Sequence, residues 1–190
     1  MFKKILRKLT PGRPDPAPAP TLMDKAAAML AAPSALMQLS PADAAVVARY
    51  MRPVSMAQGS VIIREGDAET TGFLLLVLEG EVVVESIVVS RVSPITVTVL
   101  GPGSMHGDVG LIDGLPRSAS CTAGTDVVGA VLTRADLILL QQENPSVCAK
   151  LIMAIAMRIG ARLRENTEKL KRYVQLTKAM QQEIDHLMPT

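Results

Sequence analysis

Between Arg52 and Thr133, short β-branched runs alternate with turns, and that alternation limits the fold more than any other feature of the chain. The runs are Val54–Met56, Ser60–Arg64, Gly72–Leu78, Glu81–Val89, Ile95–Leu100, Arg117–Ala123 and Val127–Leu132. Between them lie Gln58-Gly59, Glu65-Gly66-Asp67, Glu79-Gly80, Ser93-Pro94, Gly101-Pro102-Gly103 and Gly124-Thr125-Asp126. Seven or eight short strands at this spacing predict an antiparallel sandwich or barrel. The class is therefore mainly β with flanking helices.

The texture changes at Thr133. Arg134 to Glu143 reads as a helix that stops at Asn144-Pro145. Ser146 to about Met188 contains no proline and one glycine, Gly160, so it reads as a single helix. At 1.5 Å per residue such a helix reaches roughly 60 Å, too long to pack wholly on a small barrel. Its heptads account for the length. One set of positions holds Ile159, Asn166, Tyr173, Met180 and Leu187; the other holds Ala156, Leu163, Leu170, Thr177 and Ile184. A sustained period of seven predicts a coiled coil and a parallel dimer, with Asn166 at a core position where a polar residue fixes register. Upstream, Asp24–Ala32 is helical, and Ser40 caps a helix with Pro41 at its first position that runs to about Met51.

Charge and composition narrow the function. The net charge is +2, but Lys3, Lys4, Arg7, Lys8 and Arg13 account for five of the 20 basic residues, leaving 15 against 18 acidic ones. The body is thus slightly acidic, which disfavours a nucleic-acid surface. The four aromatic residues are too few for a base-stacking module. Cys121 and Cys148, 27 residues apart, form no CxxC pair, and His106 and His186 stand alone, so no metal site is expected and a reducing cytoplasm is the default. No run of ~18 apolar residues spans a membrane. Met1–Leu9 would form a short basic amphipathic helix on a linker, Thr10–Pro20, that holds five prolines. A solubilising tail is the plainer reading of that helix, and a weak membrane-surface contact the other.

The chemistry lies in the segment from Met105 to Ser120, which contains His106-Gly107-Asp108-Val109-Gly110-Leu111 and, after a turn, Pro116-Arg117-Ser118-Ala119. Gly107 lets backbone approach a ligand closely. The short turn from Asp108 would present N–H groups to an anion. Arg117 offers a rigid charged fork for a phosphate, Ser118 adds a hydroxyl donor, and Asp108 accepts from a sugar hydroxyl. The residue types suit a phosphorylated ribose.

In this segment the chain resembles the cyclic-nucleotide-binding domain family in its CRP-like form, over about residues 35–172. Gly59, Ile63, Gly66-Asp67 and Gly80 match the family's turn positions. The order of elements matches too: N-terminal helix, eight strands, a phosphate-binding cassette between the sixth and seventh, and a long C-terminal helix. The resemblance implies an eight-stranded antiparallel, jelly-roll-like β-roll over 52–133. It is preceded by the basic segment and linker (1–20) and by N-terminal helices (21–51), and followed by a short helix (134–145) and a dimerising helix (146–188). It further implies that Arg117 and Ser118 hold the cyclic phosphate and that Gly107 and Asp108 hold the ribose 2′-hydroxyl, with Val109 also among the ligand-binding residues. Leu111 would cap the cassette turn, and Asn166 and Thr167 would read the purine from the dimer helix. Two positions depart from the family: Asp108 stands where Glu is usual, and His106 where an apolar aromatic is common. With Thr190 as the last residue read, the expectation is a stand-alone binding domain without the helix-turn-helix of CRP-like activators.

The expectation is a non-catalytic, cytoplasmic sensor without cofactor. It would bind cAMP in preference to cGMP, couple the ligand to dimer-helix geometry, and signal to a protein partner. The alternatives are a ligand-free dimeric scaffold with a degenerate cassette, or a receptor for a cyclic dinucleotide such as c-di-GMP.

Overall fold

The computed structural model describes residues 21–32, 39–86 and 95–187. The amphipathic segment and linker at 1–20, and the end of the expected run at 87–89, lie outside the described residues. Among the described residues the eight strands are β1 (Arg52–Met56), β2 (Val61–Ile63), β3 (Phe73–Glu79), β4 (Val82–Ser86), β5 (Ile95–Leu100), β6 (Met105–His106), β7 (Ser120–Ala123) and β8 (Val127–Thr133). They form two antiparallel four-stranded sheets, ordered β1-β8-β3-β6 and β2-β7-β4-β5. The helices are α1 (Leu22–Ala31), α2 (Pro41–Arg49), α3 (Asp108–Asp113), α4 (Arg134–Glu143) and α5 (Pro145–Leu187).

Strand β3 shows why the molecule has two cores. Its side chains alternate between faces, yet every residue from Leu74 to Leu78 is buried. Leu74, Leu76 and Leu78 face the helices, joining Leu30, Val47, Leu140, Leu151 and Ile155. Leu75 and Val77 face the second sheet, joining Ile63, Val82, Cys121 and Val127. Helices on one side and a sheet on the other explain an unbroken apolar run in an antiparallel strand.

Local signals set the helix boundaries. Ser40 caps α2 by accepting from Asp43 N–H, with Pro41 at the first position. Thr133 caps α4 in a reciprocal box with Asp136. Proline at 145 ends α4 and opens α5 in its first turn. Helix α5 runs unbroken for 43 residues, about 65 Å at the usual rise. Its first part is core, with Leu151, Ala154 and Ile155 buried. From Leu163 onward its apolar side chains face solvent: Leu163, Leu170, Tyr173, Met180, Ile184 and Leu187 are all at least half exposed. Among the described residues, no helix is long and apolar enough to cross a membrane.

Candidate functional site

The site is built on α3 and the loop that follows it. Gly107 precedes α3 with φ +84°, a left-handed conformation that glycine adopts without strain. A Cβ at this position would lie 2.6 Å from the Phe73 carbonyl oxygen and 2.7 Å from an Arg117 terminal nitrogen. The turn is therefore pressed onto the end of β3 with room for hydrogen only. Arg134, at the start of α4, holds the helix from the other end, donating to the carbonyls of Gly110 at 2.8 Å and Leu111 at 2.9 Å.

Arg117 is 5% exposed and lies beneath this helix. Its backbone is clamped by the turn after β2, donating to Asp67 O and accepting from Gly66 N–H. Its guanidinium donates to Gly107 O at 3.0 Å, Thr70 O at 2.8 Å and Phe73 O at 3.1 Å, and stacks 4.6 Å from the centre of the Phe73 ring. Three of its five donors are thus spent on backbone, while its buried Nε has no partner. Among the described residues no carboxylate pairs with it; burial works against its charge, while Asp67 and Asp108 support that charge from a distance.

Asp108 is 2% exposed. One carboxylate oxygen, Oδ1, accepts from Val109 N–H at 3.0 Å and from the Arg162 guanidinium at 3.2 Å. The other, Oδ2, is buried and has no partner. Arg162 belongs to α5, and so does Arg158, one turn earlier, which is half-buried in the same cavity. Asp108 favours the charged form of Arg158, but burial and Arg162 oppose it.

His106 is buried at the back of the site, its Nε2 3.1 Å from Ser104 Oγ and its Nδ1 3.8 Å from Cys121 Sγ. Burial, reinforced by Arg158 and Arg162, pushes its pKa down to about 4 against the pull of Asp108. Burial pushes the Cys121 thiol up to about 11. Both groups of this one thiol–imidazole pair are held neutral, the reverse of what an activated cysteine requires.

These residues surround a cavity of about 1110 Å³ between the cassette, the sheet and α5, large enough for a nucleotide. Gly107, Asp108, Val109, Arg117, Ser118 and Asn166 all line it. Leu111 does not: it is 1% exposed and packs in the core facing the helices. Thr167 does not line the cavity either; its hydroxyl donates back to Leu163 O at 2.9 Å on an exposed stretch of α5. Asn166 is exposed in the single chain. Arg158 and Arg162 escaped the sequence reading. Their signal was present: two like charges four residues apart weaken a free helix, and such a pair on the face beside Ile155 and Ile159 asks for an anion.

Comparison with known proteins agrees with this geometry. The family model for the cyclic nucleotide-binding domain matches residues 53–144. A cyclic nucleotide-gated potassium channel of Mesorhizobium japonicum is 33% identical over 119 residues, which is 63% of this chain and 31% of the channel. A CRP-like cAMP-activated global transcriptional regulator of Mycobacterium tuberculosis is 25% identical over 125 residues, 64% of this chain and 53% of the regulator. The crystal structure of a cyclic nucleotide-binding domain from Methylobacillus flagellatus superposes with a TM-score of 0.68 at 26% identity, covering 80% of this chain and 83% of that one. The match thus spans about a third of the channel and about half of the regulator.

Proposed function

Residues 53–144 belong to the cyclic nucleotide-binding domain family, and from that premise we propose that the chain is a non-catalytic cyclic-nucleotide sensor. The observation that carries the proposal is Asp108 Oδ2, a buried carboxylate oxygen left without a donor in the wall of a nucleotide-sized cavity. Leaving such an atom unsatisfied costs free energy, and a ribose hydroxyl is the donor the pocket lacks. The phosphate would then meet Ser118 and the donors that Arg117 has left. The neutral state of His106 and Cys121 supports binding rather than chemistry. Because α5 forms one wall, a ligand would touch the helix whose far half carries the exposed heptad residues. Binding would shift a helix pair only through a difference in affinity between its two arrangements; a protein partner would then read that change.

Calorimetric titration with cAMP and cGMP tests the proposal. Ser118 is exposed at the cavity, so Ser118→Ala should leave the melting temperature in place. It should weaken binding on the order of tenfold, the worth of one hydrogen bond to a charged group. Arg117→Ala should lose affinity and stability together, since it also strips three carbonyls of their donor. Undiminished affinity in Ser118→Ala and Asp108→Asn would refute the assignment.

One observation favours a second reading, a dimeric scaffold that binds no nucleotide. Arg117 already has a structural role, bracing the start of α3 against Phe73 and Thr70 through three carbonyls. A thermal-shift screen with cyclic mono- and dinucleotides separates the two, because a ligand of the folded state raises the melting temperature and a scaffold gives no shift.

A further inference from the structure

The outer half of α5 shows more apolar surface than one seam uses. Val174 and Leu176 are 48% and 58% exposed, yet neither belongs to the two sets of heptad positions. Val174 follows Leu170 by four residues and so flanks the seam on one side. Leu176 follows Tyr173 by three and precedes Met180 by four, and flanks the seam on the other. These are the e and g positions, which in a two-stranded coil commonly hold opposite charges that bridge the helices.

In this helix the e and g positions do no bridging. Parallel pairing with a second copy sets Arg162 against Thr167, Lys169 against Val174 and Leu176 against Gln181, and none of these is a pair of opposite charges. The charge beside the seam is one-sided instead. From Lys169 to Gln182 the helix holds four cations, Lys169, Lys171, Arg172 and Lys178, and no acid. Every one of these residues is exposed. Lys171 has the Glu168 carboxylate at 2.7 Å, while Lys169, Arg172 and Lys178 make no ion pair among the described residues. Each side of the paired helices is then a groove. Its floor is Leu176 of one copy and Val174 of the other, and its rims are Lys169 of the first copy and Lys171 and Lys178 of the second.

We propose that each of these grooves docks an acidic amphipathic helix of a partner protein. Such a helix offers apolar side chains three and four residues apart for Leu176 and Val174, and carboxylates on either side for the lysines. A membrane surface fits less well, because it takes a continuous apolar face and pairing leaves two apolar residues on each side. A nucleic acid fits less well too, because a phosphate backbone has no use for a leucine and a valine between the cations. The proposal gives chemistry to the protein partner of the sensor reading. The docking itself rests on the pairing of α5 and needs no nucleotide, so its failure and that of the sensor reading are seen in separate titrations.

The probe is a fluorescein-labelled synthetic helix of about three heptads, with leucines spaced three and four residues apart and glutamate at the other positions. A twin peptide carries lysine in place of glutamate. Fluorescence anisotropy with the full chain should show binding of the acidic peptide, weakening as salt rises, and none of the twin. Light scattering of each protein sample gives its mass. Leu176→Ser should keep the mass of two chains and bind the acidic peptide about tenfold or more weakly, as expected for one leucine withdrawn from a contact. The double variant Lys169→Glu, Lys178→Glu should lose the acidic peptide and gain the twin. Equal binding of the two peptides by the wild type, or of neither, overturns the proposal. So does an affinity unchanged in Leu176→Ser. A wild type of one chain removes the groove, and a Leu176→Ser variant of one chain places that leucine inside the seam; either result overturns the docking. A mass of four chains that falls to two in Leu176→Ser would make a second pair the occupant. Co-sedimentation with phosphatidylglycerol vesicles, or retention of duplex DNA, that disappears in the double variant would assign the lysines to a membrane or a nucleic acid and overturn the protein helix.

Discussion

At the scale of single residues, the site divides into groups the chain order announces and groups it hides. Arg117, Ser118, Gly107 and Asp108 were legible because they share one short segment with a turn glycine, so their proximity needed no tertiary information. Arg158 and Arg162 lie about forty residues downstream and meet Asp108 only because α5 folds back across the roll; no local pattern contains that fact. His106 was legible as a departure from the family, but the consequence depends on its burial. Its folded pKa of about 4 lies below the 6.5 of an unfolded imidazole. As pH falls through 6.5, the unfolded chain binds a proton that the folded chain refuses until about pH 4. Stability is therefore complete above about pH 6.5 and declines between there and pH 4, by about 3 kcal/mol across the window. Denaturant midpoints measured from pH 7.5 down to 4.5 should show this slope. His106→Gln should flatten it, and an unchanged slope in that variant would assign the titration to another group.

Among the elements, the strands and helices with strong local signals fell where the sequence put them. Capping at Ser40 and Thr133, and the break at Pro145, are short-range chemistry. Two strands differ. β6 has two residues, Met105 and His106, too few for a periodic signal, and it exists because β3 offers an edge to pair with. β7 begins at Ser120 although a run was expected from Arg117. The first residues of that run are diverted into the site, where the Arg117 backbone bonds to Gly66 and Asp67. Element α3 carries the second prediction. Gly110 lies inside it, and a Cβ there would come 2.7 Å from an Arg117 terminal nitrogen and 3.0 Å from Thr71 O. Alanine would gain about 1 kcal/mol of helix propensity. Overpacking against a guanidinium fixed by three carbonyls costs typically 1–3 kcal/mol, so the packing loss should prevail. Gly110→Ala should lower the melting temperature and weaken cyclic-nucleotide binding together. A stabilised variant with full affinity would mean that α3 and Arg117 separate easily.

For the molecule as a whole, α5 poses the remaining question, because among the described residues nothing packs against the apolar side chains of its outer half. Leu163, Leu170 and Leu187 are 66%, 63% and 74% exposed, and with Tyr173, Met180 and Ile184 they recur at heptad positions. Such a stripe matches one side of a two-stranded seam, with Asn166 as its polar register point. The heptads were legible in the sequence because a coiled coil is defined by period alone; the partner is not, since one chain cannot display it. The expected assembly is a parallel homodimer, and light scattering on the intact chain should give twice the 20.2 kDa chain mass. Leu170→Glu removes one seam leucine from each copy. At about 2 kcal/mol per buried leucine the dimer should weaken by about 4 kcal/mol, roughly a thousandfold in its dissociation constant. At micromolar concentration the variant should then run as a monomer. If the cavity wall and the seam are two parts of one rigid helix, reciprocity requires that a ligand which tightens the dimer be bound more tightly by the dimer, by the same factor. Cyclic-nucleotide affinity should accordingly depend on protein concentration in the wild type and lose that dependence in Leu170→Glu. A variant that stays dimeric places the interface elsewhere on the molecule. A monomeric variant with undiminished affinity would separate sensing from assembly.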